Sequence, residues 1–283
     1  MQYVTLNSGI QMPQEGYGVF QITDKKECER CVTDALETGY RLVDTAAAYY
    51  NESAVGNAIA ASGIPREELF ITTKLWIQDT GYENTLKAFD ASLKNLRLDY
   101  LDLYLIHQPF GDYYGSWRAM EKLKQDGLIR AIGVCNFTPE RLIDLCMNNE
   151  IAPAINQIEI HPFYAQQDAL NVMRDYGVVP QAWGPLSEGQ KDIFNNKTLK
   201  SIADKYGKTV AQVILRWHIQ RGVVIIPKTV RKERMAENLD VWDFELTEHD
   251  MTVISGMDIG HSEIIDHHCW CVAKQLNSIK IHE

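Results

Sequence analysis

Hydrophobic positions fall in short blocks separated by amphipathic stretches, a strand-then-helix rhythm that runs along the whole chain. At the start, Tyr3-Val4-Thr5-Leu6, Asn7-Ser8-Gly9 and Ile10-Gln11-Met12 predict a short hairpin around a turn. Seven apolar runs then suit strands buried on both faces, at 41–44, 69–74, 101–107, 129–134, 154–159, 178–182 and 223–227, with 240–244 a shorter and weaker eighth. The stretches between them carry helix punctuation. Asp24 with Glu27 predicts a capping pair, and Thr138-Pro139 sets an N-cap before a proline at the first helical position. Gly39, Gly127, Gly177, Gly207 and Gly222 each follow a periodic stretch, where a left-handed cap is wanted. Continuous apolar strands alternating with helices imply a parallel sheet covered on both faces. Eight of them favour an α/β fold closed into a (β/α)8 TIM barrel with an N-terminal β-hairpin, although the pattern alone leaves a doubly wound open sheet in play.

The chain has 283 residues, 45% of them hydrophobic, and a barrel needs about 250, so one barrel fits. No linker-like or low-complexity segment divides it, and residues 1–283 are expected to form one domain. Apolar runs reach only about five to seven residues, far short of a membrane span of ~20. A net charge of −10 argues against nucleic acid or an anionic membrane as partner, so an anionic ligand would need a local basic cluster. The first residues lack the basic and apolar regions of a signal peptide. The six cysteines do not suggest a disulfide framework. Cys28 and Cys31 have CxxC spacing but sit in a helical pattern with no second pair. A reducing cytoplasm is the expected compartment.

In a barrel, chemistry gathers where strands end. Those positions read Asp44, Lys74, His107, Asn136, Gln157, Trp183 and Lys228. Any one of them alone reads as a solvated or helix-capping residue; seven in succession point to a site. The basic cluster comes next, in Lys228-Thr229-Val230-Arg231-Lys232-Glu233-Arg234-Met235-Ala236-Glu237-Asn238, which opens a helix directly after a strand. A helix N-terminus with amides, a hydroxyl and cations suits a phosphate.

At these residues the sequence resembles the aldo-keto reductase superfamily. Gly39-Tyr40-Arg41-Leu42-Val43-Asp44-Thr45-Ala46-Ala47-Ala48-Tyr49-Tyr50-Asn51-Glu52 is similar to that family's first signature. Further matches follow in the family's order: Ile71-Thr72-Thr73-Lys74-Leu75-Trp76, Leu103-Tyr104-Leu105-Ile106-His107, Gly133-Val134-Cys135-Asn136-Phe137, Asn156-Gln157-Ile158-Glu159, Trp183-Gly184-Pro185-Leu186 and Ile226-Pro227-Lys228-Thr229. Each is weak alone; the ordered set covers nearly the whole chain. The Trp-Gly-Pro-Leu element and the short loops are similar to the bacterial branch that includes diketogluconate reductases.

The resemblance implies a monomer that reduces small aldehydes and ketones with NADPH and needs no metal. It implies a catalytic tetrad of Asp44, Tyr49, Lys74 and His107, and Tyr49 is chosen over Tyr50 by the pattern Asp-Thr-Ala-x-x-Tyr alone. It places Lys228, Thr229 and Arg234 on the adenosine 2′-phosphate, with Val230 and Arg231 in the same turn, and Glu237 and Asn238 at adenine. Asn136 and Gln157 would take the nicotinamide carboxamide beside Cys135, and Trp183 the ring, followed by Gly184 and Leu186. Phe20, Tyr50, Trp76 and His107 would face the substrate, and a segment from about 258 to 283 would close over it.

Elementary chemistry supports that tetrad independently. Hydride addition puts negative charge on the carbonyl oxygen, so a proton donor must lie within hydrogen-bond reach. A tyrosine with pKa about 10 is a reluctant acid. A lysine about 4 Å away contributes up to roughly 4 kcal/mol at an effective dielectric near 20, enough to bring Tyr49 toward about 7. Asp44 would keep Lys74 charged, and a neutral His107 would donate to the carbonyl oxygen.

Some positions depart from the family pattern. Cys135 stands where Ser is usual, which weakens one carboxamide hydrogen bond. Phe20 and Gln108 stand where many eukaryotic members carry Trp, so the pocket should differ in shape. The His/Cys-rich residues 262–271 are read as part of the closing segment rather than a metal tail. Among competing functions, a Rossmann dehydrogenase needs GxGxxG, and Gly16-Tyr17-Gly18-Val19-Phe20-Gln21 lacks the third glycine. A short-chain dehydrogenase needs Tyr-x-x-x-Lys, and none of the 13 tyrosines has Lys four residues on. A glycoside hydrolase could use Asp44 and Glu159, but Lys74 and the basic helix would go unexplained. A non-catalytic NADPH-binding regulatory subunit would keep the cofactor cluster, and the complete tetrad argues against it.

Overall fold

A computed structural model describes residues 2–283. Strand β1 (Tyr3–Thr5) pairs antiparallel with β2 (Gln11–Pro13), and Gly9 supplies the left-handed φ of 81° in the turn. Eight parallel strands follow, each bonded to the next in chain order: β3 (Gly16–Gly18), β4 (Leu42–Asp44), β5 (Phe70–Leu75), β6 (Leu101–Ile106), β7 (Ile129–Cys135), β8 (Ile155–Glu159), β9 (Val179–Trp183) and β10 (Val224–Ile225). The two ends approach each other. The Ile225 amide donates to the Gln14 carbonyl at 3.1 Å, and the Gly18 amide to the Pro227 carbonyl at 3.3 Å. With helices between the strands, the result is a nearly closed (β/α)8 barrel.

One strand lies elsewhere than expected. Residues 240–244 form no strand; the eighth is Gly16–Gly18. Val241 instead packs outside the barrel wall with Leu215, Ile219 and Ile225. The strand Gly-Tyr-Gly shows no apolar run because its neighbours leave no room for side chains. A Cβ on Gly16 would meet the Leu42 side chain at 2.4 Å, and one on Gly18 the Ile226 carbonyl oxygen at 2.8 Å.

The helix signals hold locally. The Asp24 carboxylate accepts from the Glu27 amide at 2.8 Å, and the five expected glycines all take left-handed φ. Thr138 precedes Pro139 at the helix start but makes no side-chain cap bond. Cys269 and Cys271 are paired in a single link that closes no fold-scale loop, and Cys28, Cys31, Cys135 and Cys146 are free. No helix among the described residues is long and apolar enough to cross a membrane.

Strand alternation builds two cores. Outward residues such as Val43, Ile71 and Tyr104 meet the helices, whereas Leu42, Phe70, Leu103, Leu105 and Ala131 fill the interior, with Leu6 and Met12 of the hairpin packed among them. Continued with period two, the inward set reaches Asp44 on β4, Lys74 on β5, Cys135 on β7, Gln157 on β8 and Trp183 on β9. The strand pleat therefore delivers polar groups to the C-terminal mouth of an otherwise apolar barrel.

Candidate active site

Lys74 is fully buried. Its ammonium is held by the Asp44 carboxylate, by the Thr45 carbonyl at 2.9 Å and by the Tyr49 hydroxyl at 3.4 Å. Tyr49 sits on the single 3₁₀ turn Ala47–Tyr49. Asn51 staples that turn: it accepts from the Thr45 hydroxyl at 2.8 Å and donates to the carbonyls of Val19 (2.9 Å) and Ile22 (3.2 Å). The loop after β4 is thereby tied to the loop after β3. The Tyr49 ring lies between Phe20, 4.9 Å away by ring centroids, and His107 at 5.6 Å, and Trp76 packs edge-on to His107 at 5.2 Å.

Charges follow from this burial. Burial pushes the Tyr49 phenol up to about 12, and Lys74 offsets it only in part because Asp44 works against the lysine. The expectation that Tyr49 falls toward 7 is therefore corrected: the phenol stays protonated and able to donate. Burial also works against the charge on Lys74, but Asp44 more than offsets it and holds the lysine above its ordinary value. Burial, then Lys74, then His267 depress His107 well below the imidazole range, so it is neutral.

Above this floor lies a cavity of about 1250 Å³. One wall consists of Phe20, Ala48, Tyr49, Trp76, His107 and Gln108, with Ile264, Ile265, His267, Leu276 and Ile279 from the C-terminal segment. Another consists of Lys228, Thr229, Arg234, Glu237 and Asn238, with Lys208, Thr209 and Val210 from a neighbouring helix start. Asn136, Gln157, Trp183, Gly184 and Leu186 line the part between.

The expected cofactor residues are partly engaged within the protein. The Gln157 amide donates to Asp44 and to Gln181, both at 2.8 Å, leaving its carbonyl oxygen as the group to present. Asn136, at a left-handed φ of 61°, donates to the His107 carbonyl at 3.0 Å and accepts from the Trp183 indole at 2.8 Å. Besides the fully buried Lys74, four expected residues lie away from the cavity lining. Tyr50 is 59% exposed and reaches the Lys280 carbonyl, since its left-handed φ turns it away from Tyr49. Val230 and Arg231 lie outside the lining too, and Cys135 is buried among interior residues.

The basic cluster has a simple electrostatic form. Lys232 turns to Asp34 and Glu37, whereas Lys228, Arg231 and Arg234 make no ion pair among the described residues. Unpaired cations around the start of the helix Lys232–Leu239, in a chain of net charge −10, fit a phosphate.

Reasoning from sequence missed Gln181, Lys208, Thr209 and the individual residues of the C-terminal wall. Thr209-x-x-Gln212 was a legible signal: it forms a full capping box, and the Thr209 hydroxyl also donates to Glu237 at 2.7 Å. Gln181 was hidden in an apolar strand.

Comparison with known proteins places this geometry in context. The Aldo/keto reductase family model matches residues 14–259. A glyoxal reductase of Bacillus subtilis is 49% identical over 256 residues, covering 90% of this chain and 92% of that protein. A morphine 6-dehydrogenase of Pseudomonas putida is 44% identical over 271 residues, covering 91% of each. The crystal structure of a Bombyx mori aldo-keto reductase in complex with NADP superposes with a TM-score of 0.90 at 37% identity, covering 96% of this chain and 97% of that one. The chain belongs to the aldo/keto reductase family.

Proposed function

We propose that the protein is an NADPH-dependent oxidoreductase that reduces small aldehydes and ketones to alcohols, with Tyr49 as the proton donor. The observation that carries this reading is the Tyr49 hydroxyl, set 3.4 Å from a fully buried Lys74 paired with Asp44, at the foot of an open cavity. Family membership and the Bombyx mori relative in complex with NADP support the cofactor. Lys228, Thr229 and Arg234 would hold its 2′-phosphate, Glu237 and Asn238 its adenine, and Asn136, Gln157 and Trp183 its nicotinamide end. When bound, NADPH supplies the hydride.

The chain's own residues manage the oxygen. Tyr49 and His107 are both neutral and offer two donors to a carbonyl oxygen that gains negative charge as the reaction proceeds. A phenol near 12 is a weak acid, but the alkoxide that forms is a far stronger base than a phenolate, so proton transfer to it runs downhill. Lys74 then stabilises the tyrosinate left behind, an interaction that gains strength only as the proton departs. Asp44 keeps the lysine charged and aimed.

The test is NADPH oxidation over a panel of aldehydes by the unmodified protein and by Tyr49→Phe. The variant should lose about 10²–10⁴-fold in kcat while still binding NADPH. Near-normal turnover would sink the donor assignment. No turnover by the unmodified protein while NADPH binds would favour the regulatory-subunit alternative.

A further inference from the structure

Strand β3 carries a single side chain, Tyr17, between two glycines. Tyr17 is fully buried outside the cavity lining, among residues of the helix layer, and packs on Tyr40 with ring centroids 5.8 Å apart. Its hydroxyl donates to the Thr229 carbonyl at 2.6 Å, far away along the chain. Burial holds the phenol well above its ordinary value, so it remains a donor. The next carbonyl is taken in the same way. One nitrogen of the Arg30 guanidinium donates to the Val230 carbonyl at 3.2 Å, and the Cys31 sulfur lies 3.9 Å from that oxygen. Arg30 and Cys31 belong to the helix Lys25–Thr38, as do Asp34 and Glu37, which hold Lys232. The segment from Thr229 to Lys232 is therefore gripped from behind, by residues none of which lines the cavity.

Fixing a carbonyl also fixes the amide on the opposite edge of its peptide plane. With the Thr229 carbonyl turned to Tyr17, the Val230 amide faces the other way, and no backbone acceptor among the described residues takes it. With the Val230 carbonyl turned to Arg30, the Arg231 amide donates to the Thr229 hydroxyl oxygen at 3.3 Å, which leaves the hydroxyl proton for a further acceptor. Thr229 itself lines the cavity with Lys228 and Arg234. An anion at this turn meets hydrogen-bond donors, whereas a carbonyl swung round would present the negative end of its dipole. We propose that Tyr17 and Arg30 are positioning residues that set the preference for NADPH over NADH, by keeping the Thr229 and Val230 carbonyls turned away from the 2′-phosphate. This rests on the cofactor reading of Lys228, Thr229 and Arg234. A dinucleotide without that phosphate brings no charge to the turn and is indifferent to which way its peptides face.

The test measures Kd for NADPH and for NADH by quenching of tryptophan fluorescence, with no turnover involved. Tyr17→Phe keeps the buried ring, changes no charge and removes only the hydroxyl. It should weaken NADPH by about three- to tenfold and leave NADH unchanged. Arg30→Lys keeps the cation but loses the fork by which one nitrogen holds Asp34 while the other reaches Val230, and it should shift the ratio of the two constants the same way. A purely structural role would weaken both dinucleotides together. That result, or an unchanged ratio, overturns the role given to the residue replaced. If Tyr17→Phe binds neither dinucleotide, Arg30→Lys, at a half-exposed side chain, decides alone. Equal affinity of the unmodified protein for NADPH and NADH would sink the cofactor reading itself, which separates the two failures.

Discussion

Burying Lys74 beside Asp44 takes two charges out of water, and each is tolerable only because of the other. Lys74→Met leaves the Asp44 carboxylate buried with Gln157 as its side-chain partner, which should cost about 3–5 kcal/mol of stability. Asp44→Asn combined with Lys74→Met removes both charges and should recover most of that loss in thermal melts. Turnover should stay low in the double variant, because Tyr49 then lacks the cation that stabilises its anion. Activity in the double variant would overturn the role given to Lys74. At this scale the sequence made the set legible but not its energetics. Asp44, Lys74 and His107 follow from strand ends, and Tyr49 from the family pattern. The height of the Tyr49 pKa could not be read, because burial enters only once the loops fold over the phenol. For Cys135 the strand-end position is legible in the sequence, but the packing of the barrel interior that buries its sulfur is not.

Elements in this barrel are placed by close backbone approaches as much as by apolar faces. Gly56 lies inside the helix Glu52–Ala61, where a Cβ would meet the Leu96 carbonyl oxygen at 2.5 Å and its carbonyl carbon at 2.6 Å, at the end of the helix Tyr82–Leu96. Helix propensity favours alanine over glycine by about 1 kcal/mol. Overpacking costs about 1–3 kcal/mol, and here the clashing atoms are backbone, which cannot rotate away. Gly56→Ala should therefore lower Tm; a stabilised variant would mean that the two helices separate freely. The same cause explains which elements the sequence disclosed. Strands such as Leu101–Ile106 announce themselves through continuous apolar runs, whereas Gly16–Gly18 closes the barrel through absent side chains and leaves no such trace. The C-terminal wall was legible as a segment but not residue by residue, because no periodicity governs a loop.

At the scale of the whole molecule, buried titratable groups set the pH range of stability, and two sets pull in opposite directions. Burial depresses His218 to about 3 and His267 to about 4, and holds His107 well below its ordinary value. Depressed histidines bind fewer protons folded than unfolded, so their contribution is present above the unfolded value near 6.5 and is lost as pH falls. Glu15 does the reverse. It is 1% exposed, accepts from the Trp242 indole at 3.1 Å beside the Glu15–Ile225 bridge that helps close the barrel, and burial pushes it up to about 8. A raised carboxyl contributes stability that is fully present below the unfolded value of 4.5 and is lost as pH rises through about 8. Glu15→Gln keeps an acceptor for Trp242 and removes the titration. Relative to the unmodified protein it should gain stability between pH 4.5 and about 8, by at most about 1.4 kcal/mol per pH unit, and gain nothing further above that. Below pH 4.5 the two curves should run parallel, both falling as the histidines take up protons on unfolding. Urea melts across this range decide the matter: a constant offset between the two proteins at every pH would mean that Glu15 keeps the same protonation state folded and unfolded.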